Sequence, residues 1–112
     1  MAIENPQLRD YAFLQDMFED PYFPRPLVER GVAILVELCE RIESEHPASL
    51  DALYVLSHEA TEQFNELAEI FEQHESEIET VARDCIGMDF LHIARSYGFE
   101  ADTETLIEPR TW

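Results

Sequence analysis

Residues 27–45 read LVERGVAILVELCERIESE. Val28, Val32, Leu35, Leu38, Cys39 and Ile42 recur at steps of one, three or four, and Ile34 and Val36 widen the stripe. Side chains three and four apart stand on one side of an α-helix, so this spacing predicts a helix from Leu27 to about Glu45. A helix apolar over most of its circumference belongs at the centre of a bundle. Gly31 costs up to about 1 kcal/mol relative to Ala inside a helix, so its presence points to a close crossing by another element.

Outward from that segment the same period recurs. Upstream, Asp20-Pro21-Tyr22-Phe23-Pro24-Arg25-Pro26 cannot continue a helix, because its prolines remove donors and push their predecessors toward extended geometry. Its two aromatic residues are expected to pin it to the bundle. Before it, Asn5-Pro6 reads as N-cap and first helical residue of a helix marked by Leu8, Ala12, Phe13, Met17 and Phe18, ending near Asp20. Downstream, His46-Pro47 ends the central helix, and Ser49 caps the next. That helix carries Leu53, Leu56, Ala60, Phe64, Leu67 and Phe71 to about Gln73. Ser76 and Glu79 have capping-box spacing. Ile78, Val81, Ala82, Cys85, Ile86, Phe90, Ile93 and Tyr97 follow, and Gly98 stops that helix. A short helix from Thr103 to Glu108 is capped by Asp102. The expectation is an all-α fold, a compact antiparallel bundle of four main helices plus a short C-terminal helix. It forms a single helical domain over residues 1–112.

The chain of 112 residues carries 25 acidic side chains against seven basic ones, all Arg, for a net charge of −18. Hydrophobic residues make up 46%, which excludes a disordered acidic tail. A polyanion would be repelled, so no nucleic acid is expected as partner. No apolar run reaches the length of a membrane span and no signal-peptide pattern opens the chain, so a cytoplasmic protein with no membrane partner is expected. In that compartment Cys39 and Cys85 are two reduced thiols among apolar neighbours. The absence of Lys fits a GC-rich genome, a salt-adapted proteome, or a surface charged to speed encounter with a basic partner.

Three constellations could carry chemistry. Two acidic-x-x-His pairs, Glu43/His46 and Asp89/His92, have the spacing used in metal-binding helical bundles, although His46 stands at a helix end. His58, Glu62 and Asn65 fall together at i, i+4 and i+7, with Thr61 at their flank. They form either a polar pocket or side chains that bond another helix end. Glu79/Arg83 and Glu37/Arg41 have the spacing of helix ion pairs, and Arg83 stands out because cations are few. No nucleophile elbow and no Gly-rich phosphate loop exists, so no catalytic residue and no cofactor is assigned. Trp112, the only Trp, either docks on its own domain or is open to a partner; docking is the favoured expectation.

Several blocks together resemble a known family. They are Asp20-Pro21-Tyr22-Phe23-Pro24, Leu38-Cys39-Glu40-Arg41-Ile42-Glu43, Leu56-Ser57-His58-Glu59-Ala60-Thr61 with Phe64-Asn65-Glu66-Leu67, Ser76-Glu77-Ile78-Glu79-Thr80-Val81-Ala82-Arg83, Tyr97-Gly98-Phe99 and Pro109-Arg110-Thr111-Trp112. The set is similar to a small bacterial family of unknown function, the 5713 family of such domains. The resemblance implies a helical fold and draws attention to His58, Asn65, Glu79 and Arg83. It brings no activity and no cofactor.

The leading expectation is a noncatalytic protein-interaction module for a basic protein partner. The alternatives are a small-ligand binder or small enzyme using a candidate face of His58, Thr61, Glu62, Asn65, Glu79 and Arg83, and a metal-binding helical bundle. Either a monomer or a homodimer is compatible with the apolar excess of the central helix and the mutual repulsion of two −18 chains.

Overall fold

The stripe at residues 27–45 becomes the central rod of the molecule. In the computed structural model, which describes residues 3–112, the helices are α1 Gln15–Phe18, α2 Arg25–Glu45, α3 Leu50–Gln73, α4 Thr80–Ser96 and α5 Thr103–Leu106. Met1 and Ala2, included in the expected domain, lie outside the described residues. No strand occurs among the described residues, and the fold is all-α.

Pro26 sits in the first turn of α2, where an absent N–H breaks no helical bond. The buried face of α2 is Leu27, Val28, Gly31, Leu35, Leu38, Cys39 and Ile42. Ser49 caps α3 as its sequence position predicts, its hydroxyl accepting from the Ala52 amide at 3.2 Å. Arg41 meets Glu59, while Gly31 lies against Phe64 and Leu67, so α2 and α3 run antiparallel. A Cβ at Gly31 would fall 2.8 Å from Leu14 Cδ1 and 3.2 Å from Phe64 Cε1, which is the close crossing the glycine foretells.

α4 meets this hairpin through side chains. The Phe64 and Phe90 rings lie 5.9 Å apart, and the Tyr97 hydroxyl donates to the Glu43 carboxylate at 2.5 Å. The closer neighbours of α4 along the backbone are α1 and α5. A Schellman motif ends α4. The Phe99 amide donates to Ala94 O at 2.9 Å and the Gly98 amide to Arg95 O at 3.0 Å, with Gly98 at φ 85°.

Two local expectations change. The helix foreseen from Asn5 to Asp20 shrinks to the single turn α1, leaving three long helices and two short ones. Asn5 does open a turn, its side chain accepting from the Gln7 amide at 2.8 Å. The helix fails farther on, because the Leu14 amide donates to the Asp89 side chain instead of to a carbonyl one turn back and Leu14 adopts φ 56°. Leu8, Phe13, Leu14 and Met17 are buried all the same. The radius of gyration of 13.3 Å matches the value of about 13 Å for a packed chain of this size, so the irregular segment is folded in.

The second change concerns Ser76 and Glu79. They form no capping box; Glu79 caps α4 without a side-chain bond. Ser76 is buried and its hydroxyl donates to Tyr22 O at 3.1 Å. This bond ties down the proline-rich segment, of which Phe23 is buried against Phe71 while Tyr22 is exposed. Ser76 also closes α3, its amide donating to Phe71 O at 2.9 Å, with Glu75 held at φ 60°. A left-handed non-glycine residue is strained, so Glu75→Gly is expected to raise stability by about 1 kcal/mol. Urea unfolding checks this, with Glu75→Gln as the control for lost charge; equal midpoints for the two variants would contradict it.

Candidate functional site

α5 is a single turn, so its last carbonyls have no helical partner. The polar face of α3 supplies donors to them. His58 Nε2 lies 2.7 Å from Thr105 O, a pairing that requires the proton on that nitrogen. The Thr61 hydroxyl lies 2.8 Å from Ser57 O and 3.3 Å from Leu106 O. Asn65 Nδ2 donates to Pro109 O at 3.0 Å, and its Oδ1 accepts from the Thr111 amide at 2.9 Å. Three of the six candidate residues therefore grip residues 105–111 of their own chain. Trp112 completes the docking, its ring 6.1 Å from that of Phe64 at an angle of 63°. Asn65→Ala removes both bonds to the terminal segment, so a loss of about 2 kcal/mol is expected. Hydrogen exchange at the Thr111 amide should rise with it; unchanged protection would show that the segment is held by other contacts.

The other three candidates stand elsewhere. Glu62 is exposed on α3, and Glu79 is exposed at the start of α4. Arg83 is half-buried, and its Nε is buried with no hydrogen-bond partner among the described residues. The expected Glu79–Arg83 ion pair is not made; the two residues are joined by the Arg83 amide donating to Glu79 O at 2.7 Å. Arg41 likewise turns from Glu37 to Glu45, 2.8 Å away, and to Glu59 across the hairpin.

Both acidic-x-x-His carboxylates act as internal anchors. Asp89 is buried and accepts from the Tyr11 hydroxyl and the Leu14 amide, both at 2.7 Å. The Tyr11 ring stacks on His92 with centroids 4.3 Å apart. Burial pushes the Asp89 carboxyl above the ordinary carboxylate range, outweighing these two bonds. Glu43 accepts from the Glu4 and Asn5 amides at 3.0 Å each and from Tyr97. Burial pushes its carboxyl up, but the Tyr97 hydroxyl and the two amides prevail and hold it below the usual range. The carboxylate oxygens of both pairs are thus engaged by donors of their own chain. No group of three or more His, Cys, Asp or Glu among the described residues is placed to hold a metal ion. The sequence does carry a signal for Asp89, which lies in register with the inward Ala82, Ile86, Phe90 and Ile93.

The exterior is anionic. All acidic side chains except half-buried Asp20, Glu40 and Glu43 and buried Asp89 are exposed. Glu59, Glu62, Glu66 and Glu69 form one ribbon along α3, at steps of three and four where like charges repel. No helix among the described residues is long and apolar enough to cross a membrane.

No curated protein and no solved structure matches the chain. The sequence profile of one family matches residues 7–112, a span that takes in Tyr11, Asp89, the polar face of α3 and the segment that it grips. The chain belongs to that family, the family of unknown function DUF5713.

Proposed function

We propose that the protein is a noncatalytic interaction module of the cytoplasm, acting as one helical domain, whose anionic exterior receives a basic protein partner. The observation that carries this reading is the disposition of charge. Polar side chains that could line a reaction centre are engaged inside the molecule, as in His58, Thr61 and Asn65 holding residues 105–111. Carboxylates such as Glu62, Glu66 and Glu69 are instead displayed on the surface. Like charges along one helix face destabilise it by a few tenths of a kcal/mol per pair, so Glu62, Glu66 and Glu69 are a cost to the helix that carries them. A field of this sign accelerates encounter with a cationic protein and fixes its orientation.

Affinity capture from the native cell at low and high salt, followed by titration of the purified partner, tests the reading. The expected partner is basic, and its affinity falls at least about tenfold between about 50 and 300 mM salt, as screening dictates. Glu62→Gln/Glu66→Gln/Glu69→Gln weakens it further. A partner whose binding is indifferent to salt, or a small metabolite that binds while no protein does, overturns it.

A further inference from the structure

Exposed apolar side chains cluster at one place in the acidic exterior. Six large hydrophobic residues are exposed among the described residues, and three of them, Tyr11, Val81 and Met88, line a single cleft of 440 Å³ between the α1 segment and α4. Their exposures are 36%, 50% and 62%. Val81, Asp84, Cys85 and Met88 follow one another at steps of three and one, which puts them on one face of α4. Half-buried Cys85 also lines the cleft, and exposed Asp16 and Asp84 stand beside the apolar surface.

We infer that this cleft seats an amphipathic basic segment of a protein partner, an apolar side chain entering between Val81 and Met88 while an adjacent Arg or Lys reaches Asp16 and Asp84. The inference rests on the proposed function and gives it a location. Apolar surface ringed by polar groups is where a partner excludes water, and such a centre carries most of the binding energy of an interface. Methionine suits it, because its flexible thioether adapts to the side chain that arrives. Charge complementarity selects the occupant. A second copy would bring the same carboxylates to face themselves across a two-fold contact, and a polyanion would be repelled outright. The volume admits a few side chains, so the partner contributes a protruding element and not a whole domain.

The test uses the full chain and two labelled peptides with equal numbers of arginines, one oligo-arginine and one with leucines spaced at three and four. Burial of one leucine predicts that the amphipathic peptide binds at least about tenfold more tightly. Val81→Ser/Met88→Ser should erase that gap, and the bound amphipathic peptide should slow alkylation of Cys85. Both substituted residues are exposed, so the fold is retained. Glu62→Gln/Glu66→Gln should weaken both peptides alike and leave the ratio unchanged. Equal affinities, or a gap that survives Val81→Ser/Met88→Ser, overturn the cleft while leaving a basic partner possible elsewhere on the surface. Failure of both peptides to bind at about 50 mM salt, where screening is weak, overturns the proposed function as well. A dimer in sedimentation that Val81→Ser/Met88→Ser dissolves assigns the cleft to a second copy and overturns the inference.

Discussion

Asp89→Ala is expected to destabilise the protein by about 3–4 kcal/mol, while Asp89→Asn leaves it within about 1 kcal/mol of the parent at neutral pH. The carboxylate accepts from Tyr11 and from the Leu14 amide, which is buried and has no helical acceptor. Alanine strands that amide and releases the constraint that keeps Leu14 at φ 56°. Asparagine can keep both bonds: its carbonyl takes the Leu14 amide, and its NH₂ donates to Tyr11 once the phenol rotates to accept. Asparagine also removes a desolvated charge. Burial raises the Asp89 pKa in the folded chain above its unfolded value, so the folded state holds the proton more tightly. The resulting stabilisation is complete below the unfolded value of about 4 and is lost as pH rises through the folded value. Glu43 works in the opposite sense, since its pKa is lowered, and its contribution is lost as pH falls through the folded value. That contribution is common to parent and Asp89→Asn, so the difference between their urea midpoints from about pH 4 to pH 7 isolates Asp89. The variant should gain on the parent as pH rises. A constant difference would show that the carboxyl titrates alike in the folded and unfolded chain, and an Asp89→Ala midpoint equal to that of the parent would show that the carboxylate is not the anchor.

Gly31→Val is expected to destabilise by about 3 kcal/mol, and Gly31→Ala by about 1–2 kcal/mol, in spite of a helix propensity that favours alanine. The site is closed on two sides. Leu14 Cδ1 would stand 2.8 Å from the new Cβ, and Phe64 Cε1 would stand 3.2 Å from it. The leucine tip can rotate, but its backbone is fixed by Asp89, and Phe64 is wedged between Phe90 and Trp112. Valine adds two methyl groups where one atom already crowds. Thermal unfolding should register the valine variant on the order of 10–15 °C below the parent. A Gly31→Ala protein as stable as the parent would mean that Leu14 repacks freely and that the crossing is looser than its geometry indicates.

α2, α3 and α5, and the end of α4 at Gly98, were legible because their signals are local. The 3.6-residue period, the Ser49 and Asp102 caps and the glycine stop each act within one turn of the residues they govern. Residues 5–20 were not legible for the opposite reason. Leu8, Phe13 and Met17 repeat like a helix, but Leu14 is turned by a carboxylate 75 positions away. The Ser76–Glu79 spacing imitates a cap while Ser76 serves the end of the preceding helix. At the candidate face, the i, i+4, i+7 register of His58, Glu62 and Asn65 was readable, and so was the possibility that it bonds another helix end. Which carbonyls it bonds was not, since they lie 44–47 positions downstream. Arg83 drew attention through scarcity of cations, a property of composition that says nothing about position.

Trp112 packs on Phe64 through a tail secured by Asn65, and it is the only tryptophan in the chain. Its intrinsic fluorescence is therefore an optical gauge of that tail. Emission should move to longer wavelength when the tail peels from α3, whether or not the long helices have melted. Circular dichroism reports the helices, so the two signals recorded together separate local peeling from global unfolding without any added dye.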